Sequence, residues 1–217
     1  MPNISHGSNS AHRGTLGSVE PAVGLRERTR HAVRGELVAV ALELFLRQGF
    51  EATTVEQIAT SAGLSRRSFH RYFATKDDVL AQALRATGDK IAAELAGRPS
   101  GEAPWTALRR AFDPLVAWMT ADAQSLALTR IMLESSALRS GHTQKQEGWR
   151  EVVAAALAPR LTTPDESGRQ LEADALSGSA IACLMAALAD WLGDDGQQAL
   201  GRLLDVAMSA VAPLDDR

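Results

Sequence analysis

TTVEQIATSAGLSRRSFHRYF, residues 53–73, gathers a capping threonine, a glycine-led turn, three arginines, a histidine and a tyrosine into one short stretch. Thr53 or Thr54 can accept the free amides that begin a helix, and Glu56 or Gln57 is placed to reach back and close a capping box. Val55, Ile58 and Ala59 supply the inner face of that helix. Ala62-Gly63-Leu64 reads as a turn, and Ser65 caps a further helix in which Phe69 and Phe73 point inward at i and i+4. Two short helices joined by a glycine turn make a helix-turn-helix.

The flanks extend the helical pattern in both directions. Upstream, from about Arg26, Val33, Leu37, Val40, Ala41, Leu44 and Phe45 recur at three- and four-residue spacing and predict a long first helix ending at Gly49, with Phe50 able to tuck back. Downstream, Lys76-Asp77-Asp78 opens a fourth helix with acids at its positive end, and Val79, Leu80, Ala83, Leu84 and Ile91 face inward along it to about Ala96. Gly97-Arg98-Pro99-Ser100-Gly101 is a breaker cluster that marks a boundary. The expected organisation is therefore a flexible polar arm over residues 1–24, whose only basic residue is Arg13, then a helix-turn-helix domain over 25–76. A connecting helix over about 76–96 leads into a larger helical domain over 97–217. There Pro104 suits a helix start, Pro114 should kink a Trp105–Thr120 helix, and further segments cover about 123–138, 142–161, 166–192 and 196–211. Alanine and leucine dominate a chain that is 45% hydrophobic, which favours an all-α fold of about nine helices.

Charge is divided unevenly along the 217 residues. The first 76 hold ten Lys/Arg against six Asp/Glu, and the rest hold thirteen against twenty, so a net charge of -3 conceals a basic front and an acidic body. A basic module on an acidic body implies a polyanionic partner for the front alone. The single cysteine, Cys183, cannot form an internal disulfide, and the N-terminus lacks the apolar run of a secretory signal, so the reducing cytoplasm is the expected compartment. The five histidines, at 6, 12, 31, 70 and 142, do not cluster at ligand spacing, and no metal or cofactor is expected. G-x-S-x-G, H-E-x-x-H, P-loop and G-x-G-x-x-G patterns are all missing, so nothing positive supports an enzyme.

The run ALELFLRQGFEATTVEQIATSAGLSRRSFHRYFATKDDVL, Ala41 to Leu80, resembles the TetR family of bacterial transcriptional regulators. It holds the Gly-Phe end of the first helix, the paired threonines, the Ile-Ala second helix, the Tyr-Phe pair and the lysine that starts helix four, in order. The resemblance implies a regulator of transcription, most simply a repressor released from a palindromic double-stranded operator by a small molecule. Carried over by position, Arg66, Arg67, Ser68, His70 and Arg71 are the candidate groove readers, because the arginine fork meets guanine O6 and N7 together. Thr54, Ser65, Tyr72 and Lys76 are the candidate phosphate contacts, since the backbone at the groove edge needs only short donors and helix ends. Where the family often has glycine this chain has Arg67, whose long side chain either reaches further into the groove or clamps a phosphate.

The second half suggests a pocket and a partner. Trp105, Phe112, Trp118, Met119, Met132 and Trp149 cluster between the breaker and the last helices, and large apolar walls beside a proline kink suit an apolar or aromatic effector. ALSGSAIACLMAALADWL, residues 175–192, is apolar on nearly every face but is only eighteen residues long and is interrupted by Asp190, so it reads as a covered helix rather than a membrane span. As the resemblance implies, this helix and the last one would form a homodimer interface, with Ala180, Leu184, Ala187, Trp191, Leu200, Leu204 and Val211 as its expected residues. Two readings stay beside this one: a DNA-binding module whose second half binds protein, and a soluble helical enzyme.

Overall fold

The computed structural model describes residues 24–134 and 142–214, the side chains of 134 and 142–147 excepted. The expected arm over residues 1–24 and the helix break at Ser140-Gly141 fall almost wholly outside that span. Among the described residues the chain forms ten α-helices and one 3-10 turn, with no strand.

Helix α1 (Leu25–Gln48) buries Leu37, Ala41, Leu44 and Phe45, a stripe at helical spacing that fixes which face meets the core. Gly49 stops it at φ +86, a left-handed value that glycine adopts without a Cβ clash. The turn brings Phe50 back so that its ring centre lies 4.9 Å from that of Phe45. Helices α2 (Val55–Ser61) and α3 (Arg66–Phe69) pack Ile58, Ala59 and Phe69 beneath α1, and Phe73 follows into the same core. Helix α4 (Lys76–Gly97) begins at a capping box in which Thr75 and Asp78 serve each other's amides. The cap is Thr75, one residue ahead of the expected opening.

Helix α4 belongs to both halves of the molecule. Its first turns give Val79 and Leu80 to the front core, and its last turns give Ile91 and Leu95 to a second, larger core. That second core is closed by α5 (Pro104–Ala111), α6 (Asp113–Met119), α7 (Ala123–Glu134), α8 (His142–Leu157), α9 (Glu166–Gly193) and α10 (Leu200–Ser209). Helices α4 and α8 approach closely because Gly88 leaves room for Trp149: a Cβ there would meet the indole Cδ1 at 2.7 Å. The same indole donates its N–H to Leu84 O at 2.7 Å.

Two expected elements take a different form. The helix expected over Trp105–Thr120 is two short helices broken at Phe112, since Pro114 has no amide to bond and its ring crowds the carbonyl four residues back. The last helix begins at Leu200 rather than near 196. Asp195 (φ 56) and Gly196 (φ 76) form a left-handed turn, and the Asp194 carboxylate accepts the amides of Gln197 and Gln198, which uses up those residues in the loop. Helix α9 has an 18-residue window of mean hydropathy 1.6, half of it buried inside the chain. Its apolar face is thus used for packing within the fold.

Candidate nucleic-acid interface and effector cavity

Local capping chemistry sets the reading head. Thr54 Oγ1 accepts the Gln57 amide at 3.2 Å while Gln57 Oε1 accepts the Thr54 amide at 2.9 Å, which settles the choice between the two candidate boxes. Thr53 is buried and donates instead to Gly49 O at 2.7 Å. Gly63 turns the chain at φ +68, and Ser65 Oγ accepts the Ser68 amide at 3.1 Å to start α3. Only one turn of α3 is regular, and a second, looser turn carries His70 to Tyr72.

With Phe69 at 0% and Phe73 at 3% exposure, the residues between and before them are driven outward. Arg66, Arg67, His70 and Arg71 are exposed, with Ser68 and Tyr72 half-buried beside them. The caps Thr54 and Ser65 are exposed as well. Arg66 reaches Glu56 of α2 at 2.6 Å in an exposed ion pair, so its guanidinium is held toward the neighbouring helix. Among the described residues Arg67 has no ion pair. The guanidinium of Arg71 lies 5.8 Å from the centre of the Tyr72 ring.

Lys76, an expected phosphate contact, is engaged within the chain. Its ammonium donates to the carbonyls of Phe50 at 2.6 Å and of Glu51 and Thr53 at 3.2 Å, and it sits 4.4 Å from the centre of the Phe50 ring. An ammonium has three N–H donors, and these three carbonyls can take all of them, so Lys76 ties the α1–α2 loop to α4.

A cavity of about 460 Å³ lies between the reading head and the body. Trp118, Met119, Met132 and Trp149 line it, together with Pro114, Leu128 and Met185. Trp105 and Phe112, also expected there, do not. Phe112 is fully buried in the body core, and the Trp105 indole N–H is shared between Met208 O at 3.3 Å and Ala212 O at 3.2 Å, which pins α5 to the end of α10. Of the polar groups in the cavity wall, Thr129 donates to Ser125 O and Thr87 to Ala83 O, while Lys90 and Glu94 are exposed. What remains open to a ligand is mostly hydrocarbon and aromatic surface.

The expected dimer residues are placed mostly in the interior of the chain. Ala180, Leu184, Ala187, Trp191, Leu200 and Leu204 are all buried within one subunit, and only Val211, 58% exposed, faces outward. Large apolar side chains seat in their own core first, where they are covered on all sides. The outer face of α9 is left with Leu171, Ala175, Ala182, Ala186 and Ala189, and Val206 of α10 is exposed as well. Sequence periodicity could not choose between faces because α9 is apolar all round.

The polar joints of the body, legible only in three dimensions, were missed. The Arg109 guanidinium lies between Asp113 of α6 and Asp205 of α10, and Glu102 receives both Arg98 and Arg110. The Arg98 hydrogen bond, reinforced by the charges of both arginines, holds the Glu102 carboxyl below its ordinary pKa despite burial.

Comparison with known proteins agrees with this architecture. Residues 37–83 match the family model for bacterial regulatory proteins of the tetR family, and residues 102–214 match the MftR C-terminal domain. The chain is 29% identical to the putative mycofactocin biosynthesis transcriptional regulator MftR of Mycobacterium tuberculosis, over 82% of this chain and 91% of that protein. It is 45% identical to the HTH-type transcriptional regulator TcmR of Streptomyces glaucescens, but over only 41% of this chain and 39% of TcmR. Among solved structures it shares its fold with the SmeT–triclosan complex at a TM-score of 0.58 and 19% identity, over 85% of this chain and 93% of SmeT. With more than half its length matched by the C-terminal domain and its head by the DNA-binding one, the chain belongs to the TetR family of DNA-binding transcriptional regulators.

Proposed function

We propose that this chain is a dimeric, cytoplasmic repressor that reads a palindromic operator with α3 and leaves it when an apolar effector fills the cavity. Arg66, Arg67, Ser68, His70 and Arg71 meet the major groove, and Thr54, Ser65 and Tyr72 meet the phosphates that set its register. Dimerisation uses the outer face of α9 and α10, where Ala175, Ala182, Ala186 and Ala189 let a partner helix approach closely. Two reading heads are needed because one short helix reads too few base pairs for selectivity in a genome.

The observation that carries this reading is the double membership of α4. The helix gives Val79 and Leu80 to the core beneath α3 and then forms one wall of the cavity with Leu84, Thr87 and Ile91. An effector that favours one position of this rod moves the head with it, and differential affinity for the two positions is all that coupling requires. Fluorescence anisotropy with labelled DNA from upstream of the chain's own gene, at several salt concentrations, tests it. The expected result is a preference over random duplex together with a steep loss of affinity as salt rises. No preference, or no salt dependence, overturns the proposal.

A further inference from the structure

Over its first three turns, residues 25–36, α1 buries no side chain, and only Val33 and Arg34 are even half-buried. Helices in proteins are held mostly by the packing of an apolar face, so the core of the head does not call for these turns. Their composition points outward instead. LRERTRHAVRG, residues 25–35, holds four arginines against the one carboxylate of Glu27, more arginine than the 53–73 stretch that carries the recognition turn.

Two of these arginines lie beside that turn. Arg26 and Arg30, at i and i+4 on one face of α1, line a depression of about 630 Å³ together with Arg71 and Tyr72. The same pair lines a neighbouring groove of about 790 Å³ between α1 and α4, where Arg34 and Arg85 add further charge. Arg26 and Arg30 are exposed, and among the described residues neither has an ion pair. Arg34 fastens this face to the head: its guanidinium lies 4.6 Å from the centre of the Phe73 ring and donates to Gln82 Oε1 at 3.0 Å. The row of charge therefore stands at a fixed place relative to Tyr72. It runs along the helix and borders two depressions without converging on one point, a distribution that suits a chain of phosphates better than a single small anion.

We infer that Arg26 and Arg30 clamp the DNA backbone next to the phosphate met by Tyr72, so that each head grips a further stretch of duplex with α1. The inference rests on Tyr72 facing phosphate and adds a contact surface outside the helix-turn-helix. Phosphate contacts carry no sequence information, so this clamp strengthens binding to every duplex and leaves preference to α3.

Fluorescence anisotropy of the full chain tests it, with a random duplex and with DNA from upstream of its own gene, each at several salt concentrations. The double substitution Arg26→Ala with Arg30→Ala should weaken both duplexes alike, by about tenfold or more at low salt. It should also lower the slope of log affinity against log salt by about two for each bound head. Alanine is the better helix former and no buried residue is touched, so α1 keeps its shape, which an unchanged helical circular dichroism spectrum checks. Arg28→Ala removes a like charge from the other side of α1, outside both depressions, and should leave the slope nearly unchanged.

An unchanged slope in the double variant overturns the inference, and so does a loss confined to the upstream DNA, which would make these arginines base readers. A fall of one or more per head with Arg28→Ala also overturns it, because the overall charge of α1 and not the placement of two arginines would then be acting. The wild-type preference for upstream over random duplex reports separately on the proposed operator. If that preference holds while the double variant keeps its slope, the clamp alone fails; if wild type shows no salt dependence on either duplex, both proposals fall.

Discussion

In the reading head, the polar groups that start each helix find their partners next door: Thr54 serves Gln57, Ser65 serves Ser68 and Thr75 serves Asp78, each three residues away. In the body they reach far along the chain. Trp149 bonds a carbonyl 65 residues distant, Arg109 a carboxylate 96 distant and Trp105 a carbonyl 107 distant. The difference teaches where each half gets its shape. The head is specified by caps and turns that form locally, and its apolar residues need only lock an arrangement already favoured. The body is specified by which long helices meet, a choice made only when distant segments close on one another.

Removing the lock from the head should have the largest effect. Phe69 is fully buried at the centre of the front core, its ring centre 5.9 Å from that of Phe73. Phe69→Ala is expected to cost about 4 kcal/mol through lost burial and the cavity left behind. If local signals make the head a separate cooperative unit, amide protection should fall in α2 and α3 while α8 and α9 keep theirs, and DNA binding should vanish. Hydrogen exchange followed by mass spectrometry decides this. Equal loss in both halves would show that α4 fuses them into one unit and would break the comparison.

The joint between the halves gives a smaller effect and a pH signature. Glu102 has only 9% of its side chain exposed and receives Arg98 at 2.7 Å and Arg110 at 2.8 Å where the chain leaves α4 for α5. Its folded carboxyl is held below the ordinary value, so the unfolded chain binds a proton first as acid is added. The stability it contributes is therefore complete above about pH 5 and is lost as pH falls through the carboxylate range. Glu102→Gln is expected to cost about 1.5 kcal/mol at pH 7, the scale of a hydrogen bond to a charged group. Urea denaturation of wild type and variant should give curves that converge in acid. A difference that stays constant with pH would mean that shape, rather than charge, matters at this joint.

The contrast also explains what could be read from the chain alone. Helix positions in the head follow from Thr54, Gly63, Ser65 and the Phe69–Phe73 pair, because caps, turns and i to i+4 burial are local rules. The burial of both rings is as the spacing predicts. In the body the same rules locate helices but not their orientation. Ala180, Leu184 and Trp191 stand on a helix that is apolar all round, and nothing along the sequence says that these turn inward while Ala182 and Ala186 turn out. Trp105 and Trp149 illustrate the point from the other side. Both are large and aromatic, yet one is clamped to α10 by its indole N–H and the other borders the cavity, a distinction set by partners more than sixty residues away. Lys76 adds a different limit: nothing along the chain says that three loop carbonyls fold around this lysine at a helix start.

The smallest expected effect separates two roles within the head itself. Arg66 is tied to Glu56, so Arg66→Ala also frees a carboxylate facing the same surface, and its consequence mixes two charges. Arg67 stands exposed two residues after the cap Ser65 and has no ion pair among the described residues, so its removal is the cleaner measurement. If it clamps the DNA backbone, Arg67→Ala should weaken operator and scrambled duplex alike by about 1 kcal/mol and lower the slope of log affinity against log salt by about one. If it reads a base, the loss should fall on the operator alone and the slope should barely change. Its place in the first turn of α3, the end of a recognition helix that usually reaches base edges, favours the reader. Paired anisotropy titrations with both duplexes at several salt concentrations settle the matter, and an equal loss on both would move Arg67 from the groove readers to the positioning contacts.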